Sequence, residues 1–241
     1  MSAAVPNLAL PIEWLPAEGR PEQLIVLLHG WRGEAMDLAP LAQALRSAFP
    51  QAAVLAPEGA LSGDAKAGRP GSAKGRQWYS LDGLDFGPAG VPEWHARVTA
   101  AREAFEPWLR AQQQRLGVGT AATALGGFSQ GAIVSLETAV RSDGLAGRIL
   151  AFAGCFTLPP PAAPRETTIH LFHGSADTVI PAEGSRRALQ LLGELQGDAT
   201  LDIAEGLGHE LHPALVDCCL HRLKSHIPMR TWQAALGAVT R

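Results

Sequence analysis

The chain is predicted to fold as an α/β protein, a mostly parallel central sheet with helices on both faces and no large cap domain. Short apolar runs alternate with longer stretches in which apolar residues recur every three or four positions. Several of the short runs, "QLIVLL" among them, are apolar without interruption, as a strand buried on both faces requires. No linker separates two cores, so residues 1–241 read as one domain.

In order, Gln23 to Leu28 reads as the first such strand and ends in His29-Gly30. Ala35 to Phe49 carries Met36, Leu38, Leu41, Ala42, Leu45 and Phe49 at helical spacing. Ala53 to Ala56 is a short strand closed by Pro57-Glu58-Gly59, and Val91 to Leu116 a long helix with Pro92 near its start. Thr123 to Phe128 is a strand, Gln130 to Arg141 a helix, and Arg148 to Ala153 and Thr168 to Phe172 are strands. Pro181 to Leu195 is a helix, Thr200 to Ala204 a strand and Pro213 to His226 a helix. The parallel strands should be joined by right-handed crossovers. After Pro228, Trp232, Leu236 and Val239 recur at helical spacing, so a short amphipathic helix is expected to pack onto the domain, with a dimer contact as the alternative. Two stretches are irregular. Ala60 to Arg76 is rich in Gly, Ala, Ser and Lys, and reads as a loop over a site or as a solvated insertion. Leu158 to Glu166, "LPPPAAPRE", reads as a Pro-rich surface connection.

Composition narrows the function classes. With 46% apolar and 18% charged residues the chain is ordinary for a globular enzyme. A net charge of -3 with scattered arginines gives no footprint for nucleic acid or an anionic membrane. Cys155, Cys218 and Cys219 have neither disulfide-framework nor zinc-ligand spacing and read as apolar filler. The N-terminus lacks a basic n-region and is interrupted by Pro6, Pro11, Glu13 and Pro16, so no signal peptide is expected. No apolar run approaches the roughly 20 residues that span a bilayer. A cytoplasmic protein is the resulting expectation.

Chemistry concentrates at "GGFSQGA". Gly127-Phe128-Ser129-Gln130-Gly131 reads G-x-S-x-G and lies between a predicted strand and a predicted helix. A serine on such a tight turn takes strained backbone angles and projects its hydroxyl beyond the sheet, while glycines two residues away on each side avoid crowding. The helix that follows presents free N–H groups. The hydroxyl needs a base, and the base an orienting acid, in the chain order Ser, Asp or Glu, His. Asp177 in "HGSADTVIP" and His209 in "GLGHELHP" each follow a predicted strand and so share the sheet end with Ser129. Asp177 ranks above Asp198, which precedes a strand, Asp202, which lies within it, and Glu205; His209 ranks above His212 because Gly206 and Gly208 suit an exposed tight loop. The oxyanion donors expected are the N–H of Gln130 and, by position after the first strand, that of Trp31. No metal site is expected: the histidines of "HELH" stand three apart, not four as in HExxH, and His170 and His173 fall on opposite faces of a strand. His29 reads as a structural member of the first loop, and His95 as a surface or cap residue. Trp78 and Phe156 are candidates to line the pocket beside these residues.

Five ordered motifs make the chain resemble the phospholipase/carboxylesterase family of α/β-hydrolases, which includes the acyl-protein thioesterases. They are "LLHGWRGEAMDLAPLA", "APEG" with "GRQWYS", "GGFSQGA", "HGSADTVIP" and "GLGHEL". Within the family the chain looks closest to small bacterial carboxylesterases. The resemblance implies Ser129, Asp177 and His209 as a triad, Trp31 and Gln130 as oxyanion donors, a short-to-medium acyl ester as substrate, and no cofactor. The first loop departs from the thioesterase form, because Trp31-Arg32-Gly33-Glu34 replaces a small or aliphatic residue followed by Gly-Asp. A bulky Trp31 is expected to narrow the acyl site and to disfavour long chains. The alternatives are an acyl-protein thioesterase or lysophospholipase and, in a different class, a non-catalytic binding module on the same fold.

Overall fold

A computed structural model describes residues 11–63 and 75–239 of the chain. Strands β1 (Ile12–Trp14), β2 (Gln23–Leu28) and β3 (Ala52–Ala56) are followed by a small hairpin of β4 (Leu61–Ser62) and β5 (Arg76–Gln77). Strands β6 (Thr123–Phe128), β7 (Arg148–Phe152), β8 (Thr168–Gly174) and β9 (Ala199–Ala204) complete the set. Helices α1 (Ala39–Ala48), α2 (Val91–Leu116), α3 (Gln130–Arg141), α4 (Glu183–Glu194), α5 (Pro213–Ser225) and α6 (Met229–Val239) lie between and after them.

The main sheet has seven strands in the order β1-β3-β2-β6-β7-β8-β9. Every pairing is parallel except that of β1 with β3. The continuous apolar character of β2 has a direct cause. Leu24, Val26 and Leu28 pack on the face covered by α2, α3 and α4. Ile25 and Leu27 pack on the face covered by α1 and α5. Each side chain of the strand is therefore out of water, and period-2 alternation disappears. From β2 the chain moves outward to β3, then returns to place β6 on the other side of β2 and proceeds through β7, β8 and β9. The carboxyl ends of β2 and β6 thus flank the point where the winding reverses, where open α/β sheets form their crevice.

The structure departs from the sequence reading in several places. A 3-10 turn occupies Ala35–Leu38 and the helix starts only at Ala39, because Pro40 has no N–H to donate and fits only a first turn. Met36, assigned to the apolar stripe, is 57% exposed. Strand β1 was hidden by Pro11 and Pro16, which bound it and confine it to the sheet edge. Helix α6 forms but does not bury its apolar stripe as expected: Trp232 and Leu236 are 57% and 65% exposed. The side chain of Val239 and most of Ala60 to Arg76, namely residues 64–74, lie outside the described residues, as do residues 1–10.

Candidate active site

Ser129 stands between β6 and α3 with φ 53° and ψ −114°. Positive φ is strained for a residue with a Cβ, and the surroundings hold it there. Its N–H donates to the Phe152 carbonyl at 2.9 Å, and its own carbonyl accepts the Ile133 N–H at 3.1 Å. A Cβ at Gly127 would stand 2.3 Å from the Gly131 carbonyl carbon, and one at Gly131 would stand 2.2 Å from the Leu28 carbonyl oxygen. The strand can reach the helix in this turn only because both positions lack a side chain.

Three loops at the same sheet end bring the partners together. His209 Nδ1 lies 2.6 Å from Asp177 Oδ2, and His209 Nε2 lies 2.9 Å from Ser129 Oγ. A carboxylate only accepts, so Nδ1 carries the proton and the unprotonated Nε2 receives the serine O–H. Asp177 Oδ1 accepts the N–H groups of Val179 at 2.8 Å and Ile180 at 2.9 Å. Burial pushes the Asp177 carboxyl up, but the hydrogen bonds from His209, Ile180 and Val179 outweigh it and hold the group below the usual carboxylate range. The ring of Phe128 lies 4.8 Å from that of His209. The competing residues are engaged elsewhere. Asp202 pairs with Arg222 at 2.8 Å, Asp198 with His226 at 3.0 Å, and Glu205 is exposed. His212 caps α5, accepting the Ala214 N–H at 3.2 Å.

Ser129 opens onto a cavity of about 850 Å³ whose wall includes Trp31, Tyr79, Leu81, Leu84, Phe86, Trp94, Gln130, Ile133, Cys155, Val179 and Ile180. The lining is predominantly apolar with a few polar groups among it, the usual make-up of a small-molecule site. Trp31 and Gln130 both border it, and Gln130 opens α3, where the first N–H groups have no intrahelical acceptor. Trp78 and Phe156, expected in the wall, are not part of it. Trp78 turns inward: it is 4% exposed, its indole N–H donates to the His29 carbonyl at 2.9 Å, and its ring packs on Phe105. Phe156 is half-buried against the core on the face covered by α2, α3 and α4. The stretch after Trp78 supplies the wall in their place, through Tyr79, Leu81, Leu84 and Phe86. Apolar residues spaced irregularly in a Gly- and Asp-rich loop carry no periodic signal, which is why the sequence hid them.

The side chain of Gln130 has a role that the sequence reading missed. It is 3% exposed, accepts the Trp78 N–H at 2.7 Å and donates to the Tyr79 carbonyl at 2.7 Å. It therefore clamps the cavity wall onto the serine turn. Burial pushes the Tyr79 phenol above its ordinary range and the Cys155 thiol up to about 12, so both stay neutral in the wall. His29 is structural, as expected. It is fully buried, donates Nδ1–H to the Gly30 carbonyl at 2.7 Å and accepts the Gly59 N–H at 2.9 Å. His95, at the α2 surface, meets Thr157 at 2.7 Å. Among the described residues no group of three or more His, Cys, Asp or Glu is placed to hold a metal ion, and no helix is long and apolar enough to cross a membrane.

A model of the phospholipase/carboxylesterase family matches residues 15–227. The chain belongs to that family. Its sheet carries the α/β-hydrolase arrangement, and membership makes it an ester hydrolase. Esterase YpfH of Escherichia coli (strain K12) is 37% identical over 216 residues, which cover 90% of this chain and 88% of that protein. The crystal structure of esterase PE8 aligns with a TM-score of 0.78 at 29% identity, over 90% of this chain and 99% of that one. Acyl-protein thioesterase 1 of Gibberella zeae is 30% identical over 112 residues, 43% of this chain and 48% of that protein.

Proposed function

We propose that this family member is a serine carboxylesterase that hydrolyses esters of short-to-medium acyl groups through an acyl-enzyme. The observation that carries the reading is the continuous chain of hydrogen bonds from Ser129 Oγ to His209 and on to Asp177, ending at an apolar cavity. Ser129 Oγ attacks the ester carbonyl carbon while its proton passes to His209 Nε2. The carbonyl oxygen takes the negative charge and receives hydrogen bonds from the Trp31 and Gln130 N–H groups. The protonated His209 then gives its proton to the leaving alkoxide, the C–O bond breaks, and alcohol departs. Water, deprotonated by His209, attacks the acyl-enzyme, and the carboxylic acid leaves as Ser129 recovers its proton. Asp177 keeps His209 in the tautomer this cycle needs and stabilises the imidazolium that forms twice. The reading takes residues 1–241 as one catalytic domain, acting in the cytoplasm on a small-molecule ester without a cofactor, alone or as a homodimer.

A second reading, an acyl-protein thioesterase or lysophospholipase, is favoured by the size of the cavity. Some 850 Å³ remains open even with Trp31 at its border, so that side chain does not fill the acyl site. The first experiment is intact-mass labelling with a fluorophosphonate probe on the wild type and Ser129→Ala. One adduct on the wild type and none on the variant is expected. An unlabelled, folded wild type would end the triad reading. Turnover of p-nitrophenyl esters from acetate to palmitate then separates the two acyl ranges, since a maximum at palmitate would move the second reading ahead.

A further inference from the structure

We infer that Gln77 is a positioning residue that sets the acyl-length selectivity of the site by pinning the indole of Trp31 at the cavity wall. The inference rests on the serine-esterase reading above. Trp31 lies on the loop after β2 and borders the cavity, yet it is 41% exposed. A side chain that open has more than one staggered rotamer within reach. The Arg32 guanidinium stands 4.4 Å from the ring centroid and covers one face. Arg32 is the next residue of the same loop, so that contact travels with the loop. The indole N–H instead donates to Gln77 Oε1 at 3.0 Å, which ties the ring to β5. Gln77 is 1% exposed, and its Nε2 donates to the Ser62 carbonyl at 2.8 Å. The indole N–H only donates and the carbonyl only accepts, so a single orientation of the amide satisfies both. The backbone of Gln77 is fixed as well. It pairs with Leu61 of β4, and the preceding Arg76 donates its N–H to the Gly33 carbonyl at 2.9 Å. A Cβ at Gly59 would stand 2.5 Å from the Gln77 carbonyl oxygen. A buried acceptor on a fixed backbone therefore holds a half-exposed aromatic ring.

The consequence follows from the place of residue 31. In the proposed cycle its backbone N–H binds the ester carbonyl oxygen, so its side chain starts beside the reacting carbon and its ring borders the groups attached there. With the ring pinned, that stretch of wall is fixed, and the added methylenes of a long acyl chain meet it. Once released, the indole N–H finds water as its acceptor, the ring swings outward and the wall opens to longer chains. A single methylene of fit in an apolar pocket is worth about 10- to 200-fold in selectivity, so even a partial release moves the preference measurably.

A double-mutant cycle supplies the test. Gln77→Met nearly preserves side-chain volume and removes both hydrogen bonds of the amide. Trp31→Phe removes the indole N–H, and the third variant carries both changes. The quantity read is the ratio of kcat/KM on p-nitrophenyl decanoate to that on p-nitrophenyl butyrate, with active sites counted by fluorophosphonate labelling. The expected result is a rise of about tenfold in this ratio for Gln77→Met. Added to Trp31→Phe, where no indole N–H remains to release, the same substitution should change the ratio by less than about twofold. In the 15N-labelled wild type, the indole N–H signal that vanishes in Trp31→Phe should exchange with water more slowly than a free indole, and Gln77→Met should speed it. An unmoved ratio in Gln77→Met overturns the inference. So does a full effect of Gln77→Met in the Trp31→Phe background, which would trace the shift to the β4–β5 hairpin. If Gln77→Met fails to fold, the wild-type indole decides, and exchange at the free-indole rate overturns the pin. Each of these results leaves the triad reading standing, whereas a wild type that takes no label ends both.

Discussion

Replacing Gln130 with Met tests the clamp that joins the cavity wall to the serine turn. Methionine has nearly the same volume and no branch, so packing is preserved while both side-chain hydrogen bonds vanish. The Trp78 N–H and the Tyr79 carbonyl lose the partners now at 2.7 Å each, and both residues are only 4% exposed. An orphaned buried backbone group costs about 1–3 kcal/mol, so the pair should cost roughly 2–6 kcal/mol. In a domain of this size 1 kcal/mol moves the melting temperature by about 2–4 °C, which puts the central expectation near a 10 °C fall. The assay is urea unfolding of wild type and variant, with the slope m unchanged and the midpoint lowered. The backbone N–H of residue 130 survives the substitution, so labelling of Ser129 should persist in the folded fraction. KM for apolar esters should rise as Tyr79 loosens. A loss below about 0.5 kcal/mol, the size of an ordinary surface change, would refute the clamp.

Further outcomes are expected. Ser129→Gly should abolish ester turnover and raise stability by about 1–2 kcal/mol, because φ 53° is strained only for a residue with a Cβ; equal or lower stability in urea unfolding would count against strain at the turn. Asp177→Asn should reduce kcat by about 10⁴-fold, since an amide no longer enforces the Nδ1–H tautomer of His209; a loss under tenfold would remove Asp177 from the triad. His170 is fully buried, and its Nε2 has no hydrogen-bond partner among the described residues. Burial, with Arg148 and His226 nearby, lowers its pKa from 6.5 to about 3. Only the unfolded chain takes up that proton between those values, so stability should fall with pH from 6.5 toward 3, by up to about 1.4 kcal/mol per unit from this group. His170→Asn should flatten the fall in urea midpoints across that window, and an unchanged slope would show that His170 does not carry it.

Much of this was legible in the order of residues. The apolar runs that became β2, β6 and α3 have bounds set by local pattern, and Gly127 and Gly131 announce a turn that no side chain at those positions would permit. Ser129, Asp177 and His209 could be named because the fold class places the carboxyl ends of the parallel strands on one side, so three loops far apart in sequence converge. Local patterns were less able to mark β1, whose flanking prolines mask it, or the start of α1, which Pro40 shifts. They also put Trp232 in a packed stripe that is exposed. Helical periodicity fixes which side chains share a face, but whether anything covers that face depends on the rest of the chain.

What the sequence determined by itself is therefore what short-range sterics and periodicity control: the elements, the serine turn and the identity of the three interacting side chains. What only the tertiary structure decided is which groups come within a hydrogen bond of one another across those elements. The inward turn of Trp78, the clamp made by Gln130 and the cavity wall contributed by Leu81, Leu84 and Phe86 all belong to this second kind. Each depends on separations between residues from different elements being held to within a few tenths of an ångström, and only the packing of the whole chain sets such separations.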